Sequence, residues 1–163
     1  MHLSQRFLWQ TLPDGRREVS WRLWVLIWIA PVLFLAASVL MLGAEGWRHA
    51  TSTPGEGEVV RVYAWEGETI FDRGTTNYGP VFRYVWSDGQ PTEATSGMSH
   101  PDWNFDIGSR HAIRWFTDAK RNVVLPGLHN WLAGLIIGAI GLALLPFALL
   151  ITGAIRKWQR AGA

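Results

Sequence analysis

Hydrophobic positions fall into two unbroken blocks separated by a long stretch of mixed character. No charged residue interrupts Leu23 to Gly43 or Trp131 to Ile155. Wound as α-helices, these blocks would be roughly 32 and 37 Å long at about 1.5 Å per residue, against a hydrocarbon layer about 30 Å thick. A single domain of this size rarely hides two such helices in its own core. The pattern therefore predicts two transmembrane helices, over residues 23–43 and 131–155. The first block is longer than a signal-peptide core of about 7–15 apolar residues, and a polar lead precedes it, which favours an uncleaved anchor. Residues 1–22 form that lead, with a turn signal at Leu12-Pro13-Asp14-Gly15, and residues 156–163 form a short tail.

Between the helices, in residues 44–130, the period changes. Glu58 to Trp65 is rich in strand formers and partly alternates, and Val81 to Trp86 follows the same pattern before a Ser87-Asp88-Gly89 turn signal. Pro91 to Thr95 is suited to return as the second arm of a hairpin. Arg110 to Phe116 is a further strand and Asn122 to Leu125 a short last one. Five short strands point to a small barrel, because closure removes exposed sheet edges. Trp65, Trp86 and Trp115 each fall on a strand, where a large ring fills a small core or marks a binding face. The expected fold class is an α+β membrane protein: two transmembrane helices bracketing a small, all-β, barrel-like extracytoplasmic domain.

Charge gives the orientation. Arg6, Arg16, Arg17 and Arg22 precede the first helix, and Arg156, Lys157 and Arg160 follow the second. The middle carries eight basic against eleven acidic residues, whereas the two ends together are net +5. The positive-inside rule places both ends in the cytoplasm and the middle outside. The overall +2 thus reads as membrane topology and not as nucleic-acid binding. Trp21, Trp24, Trp47, Trp131 and Trp158 stand where apolar meets polar sequence, the level at which indole prefers to lie. With no cysteine, disulfides, thiolate metal sites and a cysteine nucleophile are excluded.

The order of these segments resembles a family. Gly57-Glu58-Val59-Val60-Arg61-Val62 follows a membrane helix. Tyr78-Gly79-Pro80-Val81-Phe82-Arg83-Tyr84 then leads to Asp88-Gly89, and Ile107 to Phe116 precedes a short apolar strand and the second helix. Over residues 56–155 this is similar to the bacterial domain-of-unknown-function family 3592. Gly108-Ser109 stands where that family has Gly-Asp, and Phe116-Thr117-Asp118-Ala119 lacks its proline. The resemblance implies a small extracytoplasmic β-domain between two helices of the inner membrane. It implies no activity and carries over no functional residue.

Candidate chemistry is sparse. His49 and His129 each lie just outside a predicted span, and packed antiparallel helices would bring two imidazoles together to help hold a metal or haem. The plainer reading is two interfacial polar residues. His100-Pro101-Asp102 with Asp106 reads as a loop. Glu66 with Glu68, or Asp102 with Asp106, has no spacing that separates a catalytic pair from solvated turns. No serine sits in a Gly-x-Ser-x-Gly elbow, and no glycine-rich phosphate loop opens a helix. No cofactor is expected. Within the second span, Gly134 and Gly138, extended by Gly141, form a small-residue face that allows close helix approach. Its partner is either the first span, through Ala30, Ala36, Ala37 and Ser38, or another membrane protein or second copy. Pro31 and Pro146 interrupt the two spans, and neither span holds an ionisable residue. The expected function is non-enzymatic: an accessory, scaffold or assembly subunit in the bilayer. The alternatives are an extracytoplasmic module binding a ligand or peptide, and a metal or haem protein.

Overall fold

The computed structural model describes residues 8–70 and 72–161. The fold is α+β, with two long apolar helices flanking a small β-sheet domain. The chain divides into two compact units, one of residues 1–45 with 131–163 and the other of residues 46–130.

The first unit begins with a hairpin of β1 (Trp9–Thr11) and β2 (Arg17–Val19), with Trp9 opposite Val19. Gly15, at φ +85°, closes its turn, and its N–H donates to the Leu12 carbonyl. The turn signal is visible in the sequence, but strands of three residues are too short to show an alternation. Ser20 ends the hairpin and caps α1 (Trp21–Thr51), its hydroxyl accepting from the Arg22 N–H at 3.3 Å. The second helix, α2, runs from His129 to Arg160. Both helices outrun the apolar blocks, because hydropathy marks where charge is absent and not where the backbone stops being helical. Both are long and apolar enough to cross a membrane.

The helices pack antiparallel through the glycine face of α2. A Cβ on Gly134 would lie 2.8 Å from Leu42, one on Gly138 2.6 Å from the Ser38 hydroxyl, and one on Gly141 2.9 Å from Leu35. The buried Ser38 hydroxyl donates to the Gly134 carbonyl at 2.8 Å. Ala148 and Thr152 continue the buried face of α2, and Pro31 is buried on α1. Leu26, Leu33, Leu40, Leu142, Phe147 and Leu150 remain exposed around the pair.

In the second unit, β3 (Thr53–Glu66), β4 (Thr76–Val85), β5 (Pro91–Thr95), β6 (Arg110–Phe116) and β7 (Ala119–Val124) form an antiparallel sheet in the order β5-β4-β3-β6-β7. The long β3 serves two partners. Its first half pairs with β6 and its second with β4, and Glu58 stands opposite both Arg83 and Arg110. A register shift between Val59 and Arg61 follows this crossover. Gly57 permits the close approach there: a Cβ would fall 2.9 Å from both Ile113 Cδ1 and Phe82 Cβ. The sheet coils until its edge strands β5 and β7 approach each other. Side chains close the seam. The Tyr84 hydroxyl donates to the Lys120 carbonyl at 2.6 Å, Trp86 Nε1 to the Phe116 carbonyl at 2.9 Å, and Lys120 reaches Asp88 at 2.5 Å.

Val59, Phe82, Tyr84, Ala94, Trp103, Ile113, Val123 and Leu125 form the core. Trp103 enters it from a 3-10 turn, Pro101–Trp103, and not from a strand. Trp86 and Trp115 are partly buried against its flank, whereas Trp65 is exposed.

Candidate functional site

His49 and His129 differ in their surroundings. His49 lies exposed on the last turn of α1, and its carbonyl accepts from Arg114 Nη2 at 2.7 Å. His129 opens α2 with its ring against the edge of Trp103, at a centroid distance of 5.1 Å, and 6.4 Å from the ring of His100. Its neighbour is thus a histidine read as part of a loop. His100 Nδ1 accepts from the Asp102 N–H at 3.2 Å, which caps the 3-10 turn that carries Trp103. His129 Nε2 is buried without a hydrogen-bond partner. Among the described residues, no group of three or more histidines and carboxylates could hold a metal ion.

A second pair, Ser109 and His111, has residue types that occur in catalytic sites. Ser109 Oγ stands 2.9 Å from His111 Nε2 and donates its own proton to the Asp106 carbonyl at 2.6 Å. The His111 ring stacks on Phe105 at 3.9 Å, so the pair shapes the turn into β6.

The carboxylates are organised differently from the pairs that spacing singled out. Asp72, which the sequence did not mark, accepts from the Thr69 hydroxyl, from the Thr69 N–H at 2.8 Å and from Asn77 at 3.4 Å. The Thr69 hydroxyl is the main cause that holds its pKa below the ordinary carboxylate value. Glu93 on β5 accepts from Arg83 at 2.7 Å and from Arg61 at 3.0 Å, a charged ladder across three strands. The hydrogen bond from Arg83 is the largest cause lowering its pKa.

An exposed aromatic surface lies at the far end of the β3–β4 hairpin. Tyr63 and Trp65, two apart on β3, share one face, and Gly79 pairs with Tyr63 in register. A Cβ on Gly79 would meet the Trp65 ring at 3.1 Å, so glycine leaves room for the indole to lie across β4. With Thr95, Gly97, Met98 and Ser99 they line an open cleft of about 320 Å³. Tyr63, Trp65 and Met98 are 54%, 48% and 44% exposed and form an apolar shelf. Sequence reasoning assigned Trp65 to the core, or to a binding face as the alternative. The signal for the shelf was the alternation of Tyr63 and Trp65 opposite a glycine, which becomes readable only once the register is known.

The glycine face of α2 is occupied by α1 within the same chain, through Leu42, Ser38 and Leu35. It therefore gives no separate indication of a second membrane partner. No family model, no curated protein and no solved structure matches this chain.

Proposed function

We propose that the chain is a non-enzymatic, two-span protein of a bacterial inner membrane, with both ends cytoplasmic, and that it serves a larger membrane complex as an accessory subunit. The resemblance to domain-of-unknown-function family 3592 is part of this reading. The observation that carries it is the Tyr63–Trp65–Met98 shelf, a cluster of exposed apolar side chains held on a braced sheet. Aromatic residues that are exposed and held in place are typical anchors of protein interfaces. The apolar residues left exposed around the helix pair suit contact with lipid or with other membrane helices. The glycine face is used within the chain and adds nothing to the argument.

A photo-crosslinking residue at Met98, in native membranes, tests the proposal. One stoichiometric protein partner is expected, and Trp65→Ala should remove most of its capture while abundance and insertion stay normal. Capture of lipid alone, or of no partner, would end the accessory reading. The same shelf favours a second reading, an extracytoplasmic module that binds a peptide or small ligand. Saturable quenching of Trp65 by such a ligand, without co-purifying protein, would select it. For the metal or haem alternative, His100 and His129 are the imidazoles brought near each other, and purification with neither metal nor Soret absorbance would dispose of it.

A further inference from the structure

In the first unit, the β1–β2 hairpin and the helix ends enclose an open apolar cleft of about 350 Å³, lined by Trp9, Val19, Leu23, Ile155 and Trp158. Leu23 belongs to the first turn of α1, and Ile155 and Trp158 to the last turns of α2. One cation is built into the wall. The Arg17 guanidinium lies 5.1 Å from the centroid of the Trp158 ring, and its Nη1 donates to the Trp158 carbonyl at 3.0 Å. That carbonyl is at the C-terminal end of α2, where intrahelical donors run out. Arg156, Lys157 and Arg160 are exposed on the same end of α2, and Arg22 on the first turn of α1. The acidic groups on these elements are few. Asp14 is paired with Arg16 at 2.6 Å, and Glu18 accepts from Gln10 Nε2 at 2.9 Å. The cleft is apolar within, and Arg17 is the cation held against its wall; Arg156, Lys157 and Arg160 add positive charge to the same end of α2 without lining the cleft.

Such a site asks for two chemistries in one molecule. The walls favour hydrocarbon, and Arg17 favours an anion. A free phosphate would leave the walls bare, and a zwitterionic lipid would answer the cation only in part. Basic pockets between membrane helices suit acidic headgroups. We propose that this cleft binds one acidic phospholipid, with an acyl chain along Trp9, Val19, Leu23, Ile155 and Trp158 and its phosphate facing Arg17. The inference rests on the membrane-spanning reading of the helix pair.

Native mass spectrometry of the full chain in a neutral detergent tests it, with equimolar phosphatidylglycerol and phosphatidylcholine of matched chains. One phosphatidylglycerol should be retained in preference to phosphatidylcholine. Arg17→Ala should lower that preference about fivefold, the usual effect of one cation near an anionic headgroup, and Arg17→Lys should keep most of it. Val19→Trp and Ile155→Trp fill the cleft from two sides with every charge in place, and each should cut retention. If either variant disturbs the hairpin, the other still reports. Equal retention of the two lipids, or a preference unchanged in both filled variants, overturns the site. Displacement of the lipid by millimolar inorganic phosphate would show an anion site without a lipid site and overturns it as well. Failure of the underlying reading looks different: the wild-type protein would then leave membranes on alkaline carbonate washing. A protein that stays in the membrane and shows no lipid preference refutes the cleft alone.

Discussion

Trp103 and Trp65 sit in one small β-domain and meet opposite fates, with 7% and 48% of their surface exposed. Truncating Trp103 empties part of the core, so Trp103→Ala should cost about 3–5 kcal/mol. Trp65→Ala should cost less than about 1 kcal/mol, as a surface substitution does. Denaturant unfolding of the full chain in micelles, followed by near-UV circular dichroism, measures both. Tyr84→Phe removes the hydroxyl that reaches Lys120 across the seam and should cost about 1 kcal/mol. Glu93 adds a pH dependence. Its two arginines depress its pKa in the folded protein below the ordinary 4.5. Its contribution is therefore present above that value and is lost as pH falls through the lowered one. Asp88, held down chiefly by Lys120, acts in the same direction. The unfolding midpoint should drop on acidification below about pH 4.5, and Glu93→Gln should flatten part of that drop. An unchanged slope in Glu93→Gln would remove the ladder from the account.

At the scale of elements, each long helix ends on an arginine from a strand. Arg114 of β6 donates to Ser52 Oγ and to the carbonyls of His49 and Ser52, each at 2.7 Å, where α1 stops. Arg17 of β2 does the same for Trp158 near the end of α2. A cation there satisfies carbonyls left without intrahelical donors and complements the helix dipole. Arg114→Ala should loosen the last turn of α1 by about 1.5–3 kcal/mol, the range for hydrogen bonds to a charged group. It would appear as faster amide exchange at Thr51 and Ser52, with the core amides of β4 unaffected. The contact between the helices depends on size more than on the one hydrogen bond within it. Ser38→Ala should cost about 0.6 kcal/mol, as polar contacts between membrane helices do on average. Gly138→Leu forces bulk against Ser38 and should cost about 1–3 kcal/mol, the usual penalty of overpacking. Protease resistance of the helix pair ranks the two. A ranking the other way would place the specificity of the contact in the hydroxyl.

For the whole molecule, the charge distribution predicts the topology. Single cysteines at Thr11, Asn104 and Ala161, probed in intact cells with an impermeant maleimide, should label at Asn104 alone. Labelling at Thr11 and Ala161 without Asn104 would invert the orientation. Much of the architecture is legible in the sequence, because its signals are local. The absence of charge from Leu23 to Gly43 and from Trp131 to Ile155 marks the helices, and the Asp88-Gly89 turn with Pro91 to Thr95 marks the β4–β5 hairpin. Legibility fails where a residue's role depends on a distant partner. Arg114 is one more charged residue of a strand until α1 ends beside it. His129 has no visible neighbour in the sequence until the 3-10 turn brings His100 and Trp103 to it.

The sequence by itself determined the order of elements, the helical blocks and the turns, since period, charge and glycine or proline punctuation act over a few residues. It also carried the glycine face of α2, although not what fills it. Tertiary structure alone decided that Leu42, Ser38 and Leu35 fill that face, and that β3 serves both β4 and β6 by changing partner at Glu58. It likewise decided that Trp103, and not Trp65, is buried. Each of these depends on register and on packing between segments far apart in the chain. A shift of one residue in a strand turns every side chain to the other face, and nothing local to the strand records which face the rest of the molecule will cover.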